Sequence, residues 1–272
     1  MSYLTGHYQM FLKALQRSHA SLLSTLMMFL VIGVTFILPS ISFLIVQNLK
    51  SISENIQHAK TYFGNAMQTH NYQGKYTYCY CTKSSHFSFV LDEALKNDIH
   101  IETSSTFDIP LVRNLYAKGK IRKDTYIICN GFKREKYKEY VSELLNDGFV
   151  NCVPILDNLT EIDYYLEHVT VPFQVGIRIA SDEEPKFGFY TSRLGVRYND
   201  IISLYEEKIK NNPQVSLKML HFFINSGIKD TAYYWSELTR FIQKYVELKR
   251  VAPSLDSMDI GGGWPIKTNV FF

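Results

Sequence analysis

Two textures of hydrophobicity divide the chain. From Ala20 to Asn48 no residue is charged, and Leu22 to Val46 is apolar apart from scattered Ser, Thr, Gly and Pro. Crossing a bilayer takes roughly 20 apolar residues, so residues 21–48 are expected to form one transmembrane helix, kinked at Pro39 as membrane helices tolerate. Residues 1–20 carry Lys13 and Arg17 and no acid. Leu4, Tyr8, Phe11, Leu12 and Leu15 share a helical stripe there, which reads as a basic amphipathic leader at the membrane surface. A cleaved signal peptide fits poorly, because the apolar run exceeds an h-region and no small-x-small site follows.

A polar stretch, residues 49–71, is expected as a linker, and residues 72–272 then alternate between two periods. Strand patterns fall at Lys75–Lys83, His100–Ser105, Thr125–Gly131, Val150–Asn158, Phe173–Ala180, Leu217–Asn225 and Ser257–Gly263. Helical patterns fall between them, at Ser88–Asn97, Phe107–Lys118, Lys133–Asn146, Leu159–Glu167, Asn199–Asn211 and Thr231–Arg250. Such alternation predicts a parallel sheet. Seven strands in succession predict an α/β fold, a TIM-like (β/α)8 barrel lacking its last strand.

Face parity picks out candidate chemistry. In Tyr76-Thr-Tyr-Cys-Tyr-Cys-Thr-Lys83, period two places Cys79, Cys81 and Lys83 together, with the lysine at the carboxyl end, where α/β proteins build sites. Two readings stay open: a solvated lysine at a strand end, or an amine placed to condense with an aldehyde cofactor. In Phe173–Ala180 the face shared by Gln174, Gly176 and Arg178 opposes that of Val175, Ile177 and Ile179. An interior arginine needs an anion, a dipole or a neighbouring acid. Met219–Gly227 sets His221, Phe223 and Asn225 on one face, with Ser226 at the turn. Asp259-Ile-Gly-Gly-Gly ends the last strand with Gly261, Gly262 and Gly263, whose backbone could approach a phosphate.

Composition narrows the partners. A net charge of +3, with no basic run interleaved with aromatics, argues against nucleic acid. The four cysteines lack zinc-site spacing, so no metal is expected. Reduced cysteines suit a barrel of cytoplasmic type. The basic leader favours a cytoplasmic amino terminus, which would send the barrel to the other side. The two expectations oppose each other.

Residues from about Tyr62 to Phe272 resemble the alanine-racemase-like barrel of the fold-type III pyridoxal-phosphate decarboxylases, and within them the biosynthetic arginine decarboxylases. The resemblance rests on Tyr78-Cys-Tyr-Cys-Thr-Lys83, Ile101-Glu-Thr-Ser-Ser105, Ile127-Ile-Cys-Asn-Gly-Phe-Lys133, Val175-Gly-Ile-Arg-Ile-Ala180, Ser192-Arg-Leu-Gly195, Leu220-His-Phe-Phe-Ile-Asn-Ser-Gly227 and Leu255-Asp-Ser-Met-Asp-Ile-Gly-Gly-Gly263. It implies pyridoxal 5′-phosphate as cofactor, an amino-acid substrate (arginine, giving agmatine) and a homodimer. By the same resemblance Lys83 holds the cofactor and Arg178 lies near its pyridine ring. Ser226 with Gly261, Gly262 and Gly263 cradles its phosphate, and the face carrying His221 and Phe223 lies beside it. Phe223 stands where the family usually has a histidine, and a phenyl ring can stack but cannot donate a hydrogen bond.

The resemblance also implies an eighth strand and a β-domain that complete the dimeric site and that this sequence does not show, so the 272-residue chain is expected to be inactive. Residues 1–55 resemble the amino terminus of the bacterial cell-division protein FtsX, through Ser21-Leu-Leu-Ser-Thr-Leu-Met-Met and Val31-Ile-Gly-Val-Thr-Phe-Ile-Leu-Pro39. The expectation is a membrane-anchored or chimeric chain, joined near residues 56–62. The competing class is a membrane cell-division component whose remainder is passenger sequence, or a gene-prediction artefact with no function of its own.

Overall fold

Period-two and period-3.6 segments take turns along the second part of the chain, and the structure places them as parallel strands joined by helices. It is a computed structural model that describes residues 8–10, 12–13, 47–180, 194–223 and 231–262. The chain forms two compact units, Met1–Ala59 and Lys60–Phe272. In the first, residues 8–10, 12–13 and 47–59 are helical. The transmembrane span expected over 21–48 lies outside the described residues except at 47 and 48. Among the described residues no helix is long and apolar enough to cross a membrane.

Residues 47–69 are helical (α1), where a polar linker was expected. Ile52, Ile56, Ala59, Phe63 and Met67 recur at three-to-four spacing and are its less exposed positions. Polar residues around that stripe mask it from a reading by composition.

The second unit continues with β1 (Cys79–Cys81), α2 (Ser88–Leu95), β2 (His100–Thr103), α3 (Asp108–Ala117), β3 (Ile127–Cys129) and α4 (Glu135–Asn146). Then come β4 (Cys152–Leu156), α5 (Glu161–His168), β5 (Phe173–Ala180), the short β6 (Val196–Arg197) and α6 (Ile201–Leu204). A π-helical turn (Tyr205–Ile209), β7 (Val215–His221), α7 (Thr231–Val251) and β8 (Ser257–Asp259) follow. The continuous helix expected over Asn199–Asn211 is thus one α-turn that widens, closed by Lys210 N–H donating to Tyr205 O at 2.8 Å.

All pairings are parallel, in the order β1-β2-β3-β4-β5-β7-β8, with β6 added beside β5. This is a curled sheet of seven sequential strands, the incomplete TIM-like barrel that the alternation predicts. The strands are shorter than their apolar runs; β1, paired on one side only among the described residues, keeps three residues in the ladder.

Alternation divides the interior. One large core lies between sheet and helices and takes Val175, Ile177 and Ile179 of β5 with Ile109, Val112, Tyr137, Val141 and Leu144 of the helices. A smaller cluster on the opposite, inner face joins Ile128, Val153, Ile155 and Met219, with Cys79 packed against it. β7 reaches the inner face through a bulge: Val175 pairs with Leu217 but Gly176 with Met219, so Lys218 is skipped. From there Met219, His221 and Phe223 face inward, while Leu220 and Phe222 join the helix-side core.

Ile177 is fully buried at the centre of that core. Ile177→Ala is expected to lower the unfolding free energy by about 2–5 kcal/mol, read from the urea midpoint. A loss below about 0.5 kcal/mol, the size of an ordinary surface change, would show that the helices do not pack on β5.

Candidate active site

A parallel sheet gathers the carboxyl ends of its strands at one rim, and the candidate residues meet there. Lys83, two residues past β1 and exposed, brings Nζ to 5.4 Å from the centroid of the Phe223 ring. Arg178, in β5 and buried, brings Cζ to 5.3 Å from the same centroid. An aromatic face attracts cations by about 0.5–2 kcal/mol, more as water is excluded, so Phe223 forms a platform shared by the two. Gly261 packs beneath it. A Cβ there would lie 2.8 Å from Phe222 O and 3.7 Å from Phe223 Cδ2, and φ is +63°, so only glycine fits without strain. Gly262 faces open space, with nothing within 4 Å of where its Cβ would be. Ser226 and Gly263 lie outside the described residues.

Below the platform runs a polar chain that the sequence reading did not assemble. Gly131 N–H donates to Asn130 Oδ1 at 2.8 Å, which fixes the amide's orientation. Asn130 Nδ2 then donates to Glu102 Oε1 at 3.1 Å and to His221 Nε2 at 2.9 Å. With Nε2 accepting, the imidazole proton sits on Nδ1, 2.9 Å from Asp259 Oδ2. Asp259 Oδ1 accepts from Gly261 N–H at 2.8 Å. The ends of β2, β3, β7 and β8 are so tied from Glu102 to the glycine turn. Gly131 carries φ +82°, and a Cβ there would come to 2.9 Å from Ser104 O.

The two carboxyls at the ends of this chain differ. Burial alone would raise Asp259, but the neighbouring His221 ring and then the Gly261 N–H outweigh it and hold the group below the usual carboxylate range. Glu102 is pushed up, first by burial and then by the Asp259 charge, against the pull of His221, Asn130 and Lys83. The neighbouring thiols are also pushed up: Cys81 to about 11, by burial and then Glu102, and Cys79 further, by burial and then Asp259. Neither is a thiolate nucleophile at neutral pH.

A second cluster lies behind Arg178. Arg178 Nη1 is 3.5 Å from Asp157 Oδ1, the neighbouring acid that an interior arginine requires. Lys133, wholly buried, pairs with Glu161 Oε1 at 2.9 Å and with Asp157 Oδ2 at 3.8 Å. Among the described residues no group of three or more His, Cys, Asp or Glu side chains could hold a metal ion.

Lys83, Arg178, Phe223 and Gly261 therefore converge, and His221 supports them from below. Glu102, Asn130, Asp157, Lys133 and Asp259 escaped the sequence reading. Glu102, Asn130, Lys133 and Asp259 stand within the stretches that carry the family resemblance, and all five lie at or beyond the carboxyl-terminal half of β2, β3, β4 or β8, which is the signal that could have found them.

Residues 49–270 match the family described as pyridoxal-dependent decarboxylase, pyridoxal binding domain. The match begins ahead of Tyr62, within α1. Among curated proteins, the chain is 27% identical over 236 residues to arginine decarboxylase 2 of Arabidopsis thaliana, covering 79% of this chain and 31% of that protein. It is 26% identical over 220 residues to the biosynthetic arginine decarboxylase of Shewanella denitrificans, covering 74% and 33%. The chain thus spans about a third of the length of these relatives. Among solved structures, the biosynthetic arginine decarboxylase of Campylobacter jejuni superposes with a TM-score of 0.64 at 20% identity, covering 78% of this chain and 35% of that one. Diaminopimelate decarboxylase of Helicobacter pylori gives 0.63 at 15% identity, covering 81% and 55%. A parallel sheet with a lysine and a glycine turn at one rim, matched along residues 49–270, means that the chain belongs to the pyridoxal-dependent decarboxylases, through their pyridoxal-binding domain.

Proposed function

We propose that this chain binds pyridoxal 5′-phosphate through Lys83 and takes part in decarboxylation of a basic amino acid, arginine first, with agmatine as product. The observation that carries the reading is the meeting of the Lys83 amine and the Arg178 guanidinium on one aromatic ring, directly above a glycine turn. The residues fit the cofactor. Lys83 offers an exposed amine for its aldehyde, Phe223 a flat apolar face and Arg178 a fixed cation. Gly261 turns the backbone at positive φ, and Gly262 leaves open the space that a side chain would fill. Ser226 and Gly263 are proposed as further phosphate contacts. When bound, the cofactor supplies an electron sink for the carbanion left by carbon dioxide.

The chain's own part is placement. Asp259 holds the Nδ1–H tautomer of His221 and fixes Gly261 through its N–H. Glu102, pushed above the usual carboxylate range by burial and the Asp259 charge, is the carboxyl beneath the site that holds its proton more tightly than an exposed one. Arginine is favoured over other substrates because the curated relatives named above are arginine decarboxylases, whereas the fold is shared with diaminopimelate decarboxylase. The residues assembled here hold a cofactor rather than a substrate side chain, so the 272-residue chain is proposed to bind the cofactor without turnover, as a homodimer if the family resemblance extends to assembly. The uncharged stretch 21–48 is proposed as a membrane anchor, with the FtsX-like leader before it. Release of the chain from membranes by an alkaline wash would remove that anchor.

Pyridoxal 5′-phosphate added to the purified chain is expected to give a visible absorption band that Lys83→Ala abolishes, with no agmatine released from arginine. A band that survives Lys83→Ala would exclude Lys83, and steady agmatine release would exclude the binding-only reading. Phe223→Ala is expected to weaken cofactor binding about tenfold, the loss of a stacking contact of about 1–1.5 kcal/mol. An unchanged Kd would separate Phe223 from the cofactor.

Glu102 gives a pH test. Its folded-state pKa is raised, so the folded chain binds the proton more tightly. That contribution is complete below the ordinary carboxyl value of about 4.3 and is lost as pH rises through the folded pKa. Glu102→Gln keeps an acceptor for Asn130 and removes the charge. It is expected to raise the unfolding midpoint at pH 7, with the gain shrinking to nothing by about pH 4. A gain that persists at pH 4, or a loss at pH 7, would contradict a buried, proton-avid Glu102.

A further inference from the structure

We infer that Asp157 is the positioning residue for Arg178, holding the guanidinium by charge from behind while leaving its donors free toward the rim. The placement stands on the geometry alone; its use for a cofactor rests on the function proposed above.

The register brings the pair together. β4 and β5 pair Ile155 with Gly176 and Leu156 with Ile177, and one residue past the end of that ladder the side chains of Asp157 and Arg178 come within 3.5 Å. The Asp157 backbone is pinned at both polar atoms: its N–H donates to Glu161 Oε2 at 3.1 Å, and its carbonyl accepts from Gly195 N–H at 2.8 Å. Its side chain is treated the opposite way. It is wholly buried, yet neither carboxylate oxygen accepts a hydrogen bond. One oxygen faces Arg178 at 3.5 Å and the other faces Lys133 at 3.8 Å.

Lys133 is engaged elsewhere. Its Nζ donates to Gly131 O at 3.0 Å and to Ile155 O, and stands 2.9 Å from Glu161 Oε1, nearer than the 3.8 Å to Asp157. Glu161, itself pushed up by burial and pulled down by Lys133, is committed to the lysine and to the Asp157 N–H. Asp157 therefore feels Lys133 as a field and not as a bond.

A pair selected for stability would close to a bidentate contact near 2.7–2.9 Å, because an unbonded buried carboxylate is costly. This one stays open. Among the described residues Arg178 has two partners, Asp157 behind and the Phe223 face in front. A guanidinium carries five N–H donors, and a partner at 3.5 Å leaves them available to an anionic group at the rim. Asp157 thus fixes where the cation stands without consuming its hydrogen bonds.

The test uses the full chain labelled with ¹⁵N-arginine, without cofactor, with Arg178→Lys identifying the signal. In the parent chain the Arg178 Nε–H resonance is expected to be shifted by the Phe223 ring current and slow to exchange. Asp157→Asn, which removes the charge at constant size, is expected to speed that exchange about tenfold or more, as loss of one partner of a buried pair implies, and to erase the ring-current shift. An unchanged resonance overturns the inference. Phe223→Ala leaves Asp157 in place and serves if Asp157→Asn does not fold: it should erase the ring-current shift but keep slow exchange. Fast exchange there would show that Phe223, not Asp157, holds the guanidinium. With pyridoxal 5′-phosphate added, Asp157→Asn and Arg178→Met should weaken binding by similar factors, and the double variant by no more than either. Independent, multiplying losses would separate Asp157 from Arg178. A parent chain that shows no cofactor band would count against the proposed function, while the resonance experiment still decides the positioning.

Discussion

Parallel pairing of every strand is the constraint on which the rest depends. It brings the carboxyl ends of all strands to one rim, and the period of two decides which side chain each strand delivers there. Lys83, Glu102, Asn130, Asp157, Arg178, His221 and Asp259 come from seven successive strands or the residues just beyond them. They are far apart in sequence and neighbours in space because the register permits nothing else. The bulge that skips Lys218 belongs to this logic: without it His221 and Phe223 would turn toward the helices and Leu220 and Phe222 toward the rim.

The rim contains two polar systems of different character. The chain from Glu102 through Asn130 and His221 to Asp259 is linked by polar contacts of 3.1, 2.9 and 2.9 Å and ends on the backbone of Gly261. The cluster of Lys133, Glu161, Asp157 and Arg178 pairs two cations with two anions and is buried, but its link to Arg178 is long. The first fixes backbone and tautomer; the second fixes a cation. Phe223 stands above both, and two cations near one ring make it the physical centre of the site. A phenyl ring there offers a flat surface and no proton to donate.

Much of this was legible in the sequence. Phe173–Ala180 is a strand with the parity that the alternation of Val175, Ile177 and Ile179 dictates, and Ser88, Asn146 and Thr231 mark helix ends where the periodicity put them. Lys83, Arg178 and Gly261 were nameable because each ends or interrupts an apolar run, and Phe223 because period two sets it on the face of His221. What escaped has physical causes. α1 hides a narrow apolar stripe among polar residues, so composition reads as linker. The π-turn after α6 leaves apolar spacing that an ordinary helix would also show. Asp157, Lys133 and Glu161 look like ordinary surface charges in a linear reading, because only the sheet register reveals that they are buried against one another. The Glu102–Asp259 chain depends on contacts between strands as much as 91 residues apart.

Cofactor capture is proposed to fall to the amine of Lys83. Borohydride reduction of the purified chain with pyridoxal 5′-phosphate, followed by peptide mapping, tests it directly. Label is expected on the peptide carrying Lys83, at near one equivalent. Label spread over other exposed lysines, with no preference for residue 83, would contradict it.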